Sequence, residues 1–124
     1  MKSYRDLTVW QKAITLARVV YHATQTFPGK ELYGLTSQIR NAASSIPANI
    51  AEGWGRGSRK EYVQFLKISR GSLYELETHL FLSRELDYLS KRALEDLLVK
   101  TGEVGKMLNA LITSLEKKSL IPNP

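Results

Sequence analysis

A chain of 124 residues with 43% hydrophobic and 24% charged side chains has room for one domain and one core. It has no cysteine, which excludes disulfides and thiolate metal sites and fits a reducing, cytoplasmic setting. Eighteen Lys and Arg against 12 Asp and Glu give a net charge of +6 and a pI near 9.7, a balance that favours RNA, DNA or an acidic protein surface and also suits plain solubility.

No apolar h-region follows the charged opening Met1 to Asp6, and no apolar run is long enough for a bilayer, so neither export nor membrane insertion is expected. The first predicted helix runs over about 7–26, with Trp10, Ile14, Ala17, Tyr21 and Thr24 repeating at alternating spacings of four and three. Phe27-Pro28-Gly29 stops it, because proline cannot extend the hydrogen-bond ladder. The second, over about 31–53, carries the inner stripe Leu35, Ile39, Ala42, Ile46 and Ile50. Pro47 removes one N–H inside that pattern, and the apolar period resumes in phase at Ile50, so a kink is expected there rather than a break. Small residues at Ala42, Ala43, Ser44, Ser45 and Ala48 invite a close neighbour.

The third helix, about 59–86, places Tyr62, Leu66, Ser69, Leu73, Leu76 and Leu80 inward. The fourth, about 90–118, starts at the N-cap residue Ser90 and carries Leu94, Leu97, Thr101, Val104, Leu108, Leu111 and Leu115. The tail from Leu120 to Pro124 is expected to fray. Four amphipathic helices with short connections close as a single antiparallel up-down four-helix bundle. At about 1.5 Å per residue the last two helices approach 40–45 Å, and such long sides favour self-assembly.

The stretch "SIPANIAEGWGRGSRK" joins helices two and three. It lacks the lysine spacing of a phosphate loop and the preceding strand of a dinucleotide fold, so a helical corner is the better reading. Gly53 or Gly55 is expected to take the left-handed conformation that ends helix two, with Gly57 in the link. Ser58 and Glu61 have the spacing of a capping box for helix three. Arg56, Arg59 and Lys60 stand where a helix start favours an anion, whereas Arg56 also has Glu52 within one turn.

A second series on helix three runs through Val63, Lys67, Arg70, Tyr74, Glu77 and Phe81. Aromatics interleaved with cations suit nucleic acid, a subunit contact or the margin of the core, the last two ranking above the first. Gln38, Asn49 and Ser69 fall near inner faces, where polar groups need partners and can fix helix register. Glu75, Glu77 and His79 read as a solvated flank. No metal motif, nucleophile elbow or cofactor loop can be assembled, and no enzyme activity is expected.

"YRDLTVWQKAITLA", "GLTSQIRNAASSIPANIAEGWGR" and "SRKEYVQFLKISRGSLYELETHL" together closely resemble the bacterial four-helix-bundle proteins of the 23S rRNA intervening-sequence, or S23-type, family over about Tyr4 to Leu115. The resemblance implies a left-handed antiparallel bundle that assembles as a homo-oligomer, a pentameric ring, without enzymatic activity. It also implies kinship with the accessory protein of diversity-generating retroelements, and hence a nucleic-acid or protein partner. The family pattern points to Gln38, Arg40, Asn49, Glu52, Gly53, Arg56, Ser58, Arg70, Gly71, Ser72, Glu75 and Glu77. Of these, Arg40, Arg56 and Arg70 are the candidates for an anion-facing or subunit-facing surface. Where the family pattern commonly carries a second basic residue after the position of Arg40, this chain has Asn41.

Overall fold

The computed structural model describes residues 1–120, the side chains of 119 and 120 excepted. Four helices, α1 Thr8–Ala23, α2 Leu35–Gly55, α3 Arg59–Glu85 and α4 Lys91–Leu120, follow a short 3-10 turn at Tyr4–Asp6. Each packs on its chain neighbours, and α1 closes against α4. The pairings run antiparallel throughout. Ser69 and Ser72 of α3 reach Ile46 and Ser45 of α2, while Lys67, Arg70 and Glu77 of α3 meet Glu116, Asn109 and Thr101 of α4.

The α2 stripe Leu35, Ile39, Ala42, Ile46 and Ile50 is buried as its spacing predicts, and so are Leu66, Ser69, Leu73, Leu76 and Leu80 of α3, with Tyr62 half-buried. In α1 the core is a different stripe. Val9, Ala13, Leu16 and Val20 face inward, one position before the series read from the sequence, of which only Thr24 is buried. Ile14 and Tyr21 of that series are exposed, and Trp10 and Ala17 lie half-buried along the groove with α2. In α4 the seam holds from Leu94 to Leu108 and then passes to Ile112, leaving Leu111 and Leu115 at its margin.

Helix boundaries differ where short turns intervene. Residues Gly29–Glu31 form a 3-10 turn and α2 starts only at Leu35, four residues beyond the expected start, because the Glu31 carboxylate reaches forward to accept from the Leu35 N–H at 3.3 Å. Helix α2 runs unbroken through Pro47 to Gly55. Helix α3 ends in a Schellman motif whose left-handed residue is Asp87 (φ 62°), with Tyr88 N–H bonded to Ser83 O and Asp87 N–H to Arg84 O. Ser90 caps α4 by accepting from the Ala93 N–H at 3.0 Å. Leu120 still belongs to α4, and the rest of the expected fray, 121–124, lies outside the described residues.

The α2–α3 seam is lined with small polar groups that satisfy one another. Ser69 Oγ donates to Ile46 O at 2.9 Å, Ser45 and Ser72 hydroxyls meet at 2.9 Å, and Asn49 Nδ2 donates to Ser45 O at 2.8 Å and to Ser45 Oγ at 2.9 Å. Gly53 is helical and buried, and a Cβ there would stand 2.8 Å from Phe65 Cβ and 3.2 Å from Tyr62 O. Gly71 is helical too, yet a Cβ there would meet nothing within 4 Å.

These two glycines should therefore respond to alanine with opposite signs. Gly53→Ala is expected to destabilise by about 1–3 kcal/mol through overpacking. Gly71→Ala should stabilise by roughly 0.5–1 kcal/mol through helix propensity. Urea unfolding of both variants measures this, and a stabilised Gly53→Ala protein would mean that α3 does not rest on that backbone.

Candidate nucleic-acid interface

The corner between α2 and α3 is built from Arg56, Gly57 and Ser58. Trp54 keeps α2 helical to Gly55 by packing edge-on against Tyr62, their ring centroids 6.2 Å apart. The left-handed residue is then Gly57 (φ 83°), not Gly53 or Gly55, which both stay in the helix. Ser58 is extended and its Oγ accepts from the Glu61 N–H at 3.2 Å, so the N-cap forms as expected. The reciprocal half of the box differs, because Ser58 Oγ donates to Glu61 Oε1 at 3.3 Å and the carboxylate does not turn back to the backbone.

Arg56 is held on three sides. Its Nη2 lies 3.1 Å from Glu52 Oε1, its Nε 4.0 Å from Glu61 Oε2, and its Cζ 4.7 Å from the Phe65 ring centroid. Arg59 and Lys60 are exposed and form no ion pair among the described residues. They stand on the first turn of α3, whose free N–H groups and dipole add positive potential.

Antiparallel packing brings the other two helix ends to the same place. Seven cations (Lys2, Arg5, Arg56, Arg59, Lys60, Lys117 and Lys118) gather there against four carboxylates, those of Asp6, Glu52, Glu61 and Glu116. At the opposite end six cations, Arg18, Lys30, Arg40, Arg84, Lys91 and Arg92, meet five carboxylates, those of Glu31, Glu85, Asp87, Glu95 and Asp96, which is close to balance. The molecule is therefore polar along its axis. The family model of the 23S rRNA-intervening sequence protein matches residues 5–110, which takes in the first three helices and most of α4. The chain belongs to that family.

This member of the 23S rRNA-intervening sequence family is also similar in structure to a protein of unknown function from the S23 ribosomal protein family of Bacteroides thetaiotaomicron. The TM-score is 0.77 at 25% identity, over 85% of this chain and 95% of that one. No curated protein matches the chain. Among the described residues, no helix is long and apolar enough to cross a membrane, and no group of three or more His, Asp or Glu could hold a metal ion.

The remaining residues singled out in the sequence fall in two other places. Along the α3–α4 flank, Lys67 pairs with Glu116 at 3.4 Å, Arg70 Nη1 donates to Asn109 Oδ1 at 2.9 Å, and Tyr74 is exposed beside them. Glu77 and His79 are not a solvated flank. Glu77 accepts from the Thr101 hydroxyl at 2.6 Å, and His79 is half-buried with Nε2 3.5 Å from the exposed Glu75. At the far end, Arg40 bonds the last turn of α1 through Thr24 Oγ1 and Tyr21 O. Gln38 is exposed and takes no inward position, whereas Asn49 does sit in the α2–α3 seam. Lys2, Arg5, Lys117 and Lys118 were not singled out by motif reading, although antiparallel topology alone would have carried the chain ends to this corner.

Behind the cations, burial pushes the Tyr62 phenol above its ordinary pKa, and its hydroxyl has no hydrogen-bond partner. A buried hydroxyl without a partner costs stability. Tyr62→Phe keeps the ring against Trp54 and is expected to raise stability by up to about 1 kcal/mol. Thermal unfolding checks this, and a clear loss of stability would show that the hydroxyl holds the corner together.

Proposed function

We propose that this protein is a non-catalytic, self-associating helical bundle that contacts RNA or DNA through the basic end of the bundle. The observation that carries the reading is the pair Arg59 and Lys60, free of carboxylate partners and surrounded by the cations of both chain ends. Contacts of this kind go to phosphate and carry no base preference, so affinity falls steeply as salt is added.

Self-association draws on two different surfaces. One is the groove between α1 and α2, lined by the exposed Ile14 together with Ala17, Pro47 and Ala48. The other is the outer side of α3, where Tyr74 and Phe81 are each about half exposed. Joining unlike patches makes a head-to-tail contact, which closes into a ring when the rotation permits, and a ring of five copies is the assembly we propose. A ring axis along the bundles would set every basic end on one face, and simultaneous contacts would multiply a weak affinity.

A protein-interaction platform is the second reading, favoured by one observation. Arg40, Arg56 and Arg70 are all bonded within the chain, which leaves them as struts more than as phosphate ligands.

Fluorescence anisotropy of a labelled structured RNA tests the first reading, with light scattering to follow assembly. Reversing both charges in Arg59→Glu with Lys60→Glu should weaken binding at low salt by at least about tenfold and flatten its salt dependence, with assembly unchanged. Absence of salt-sensitive binding by the native protein, or equal binding by the reversed one, overturns it. Loss of assembly with RNA binding intact would place the two residues at a subunit contact instead.

A further inference from the structure

Helices α1 and α3 lie diagonally across the bundle, each packed between α2 and α4, so their outer faces look away from each other. Both faces carry the same pattern. On α1, Ile14, Arg18 and Tyr21 stand at i, i+4 and i+7 and form one exposed strip beside the α1–α2 groove. On α3, the exposed Tyr74 and Phe81 stand two turns apart, with the half-buried Glu77 between them at i+3. Each strip therefore sets one charge between two large apolar side chains, and the two charges are opposite.

Neither charge is compensated within the chain. Arg18 and Glu77 form no ion pair among the described residues. The Thr101 hydroxyl donates to Glu77 Oε2 at 2.6 Å, which holds the carboxylate in place without neutralising it. Cations elsewhere on α3 are engaged with other groups, Lys67 with Glu116, Arg70 with Asn109 and Arg84 with Asp87. A half-buried carboxylate without a counter-ion is unfavourable, and one placed between two aromatic rings suits a guanidinium, which bonds carboxylates and stacks on ring faces. Tyr21 is already held for such a contact, with Arg40 Cζ 4.9 Å from its ring centroid.

The two strips also match in height. Lys12 of α1 meets Glu103 of α4, and Glu77 of α3 meets Thr101 of α4. Counting along the helices from those two contacts, Arg18 and Glu77 differ by about one helical turn along the bundle axis. Two copies standing side by side in the same direction thus bring the strips together after a shift of about one turn. We propose that the α1 strip of one copy docks on the α3 strip of a second copy, with Arg18 paired to Glu77 and with Ile14 and Tyr21 against Tyr74 and Phe81. The contact joins unlike faces, so each copy can bind two neighbours at once. This pairing rests on the self-association proposed above and is independent of the nucleic-acid contact.

Reciprocal charge reversal in the full chain tests the pairing, with light scattering over a dilution series to read assembly and circular dichroism to follow the fold. Arg18 is exposed and forms no ion pair in its own chain, so Arg18→Glu should leave the monomer folded. It sets two carboxylates against each other and should weaken association by at least about tenfold. Glu77→Arg should do the same, and the double variant Arg18→Glu with Glu77→Arg should recover most of the native association. Because Glu77 also accepts from Thr101, Glu77→Gln serves as a second variant that keeps an acceptor there, and it too should weaken association. A native protein that assembles while Arg18→Glu or Glu77→Gln assembles equally well overturns the pairing and leaves self-association standing. Failure of the double variant to recover, with both single variants folded and weakened, also overturns it. A native chain that stays monomeric overturns self-association and this pairing together, and leaves the two strips to a different protein.

Discussion

At Gly53 a single added carbon would stand 2.8 Å from Phe65 Cβ, so α2 and α3 meet with no side chain between them on the α2 side. That closeness brings Ser69 within hydrogen-bond reach of the Ile46 carbonyl and Ser45 within reach of Ser72. Polar groups drawn into a seam this tight are stable only when they find each other, and the partners present are the ones that set the register. With the register set, Ile46, Ile50, Leu66, Leu73 and Leu76 are carried into the core, each fully buried Leu or Ile contributing about 1.5–3 kcal/mol.

The corner inherits its shape from the same seam. Phe65, one side of the Gly53 contact, is also the ring beneath the Arg56 guanidinium, and Tyr62 is the ring against Trp54. Arg56 is thereby spent on structure, whereas Arg59 and Lys60, one turn further, keep their charges for solvent or a partner. The charge of the molecule collects at this end because α4 and the N-terminal segment finish there, each bringing cations of its own. Lys12 and Glu103 tie α1 to α4 midway at 2.8 Å, and the Lys12 ammonium holds that carboxyl below the usual carboxylate range.

The helices were legible in the sequence because their apolar periods are long and consistent, and α2 is the clearest case. In α1 two interleaved stripes share the same four-three spacing, and the larger residues of Trp10, Ile14 and Tyr21 draw the eye. The stripe that is buried contains Ala13, fully buried although small, and which of two stripes packs inward is a property of the neighbouring helices that periodicity does not record. The choice among three glycines at the corner was equally hidden. It turns on Trp54 packing against Tyr62, which extends α2 past Gly53, and nothing local announces that contact. The cations of α3 were readable as a series, but their partners Asn109 and Glu116 lie 39 and 49 residues on, and only the α3–α4 register brings them together.

If the α2–α3 seam is the element on which the others are assembled, it should be the last part of the protein to open. Native-state hydrogen exchange reads this directly, residue by residue, as free energies of local and global opening. Amides from Ile46 to Gly53 and from Leu66 to Leu76 should exchange only by global unfolding, while those of α1 exchange through a smaller opening that leaves the α2–α3 pair protected. Protection highest in α1 and α4, with the seam amides exchanging ahead of them, would contradict the account.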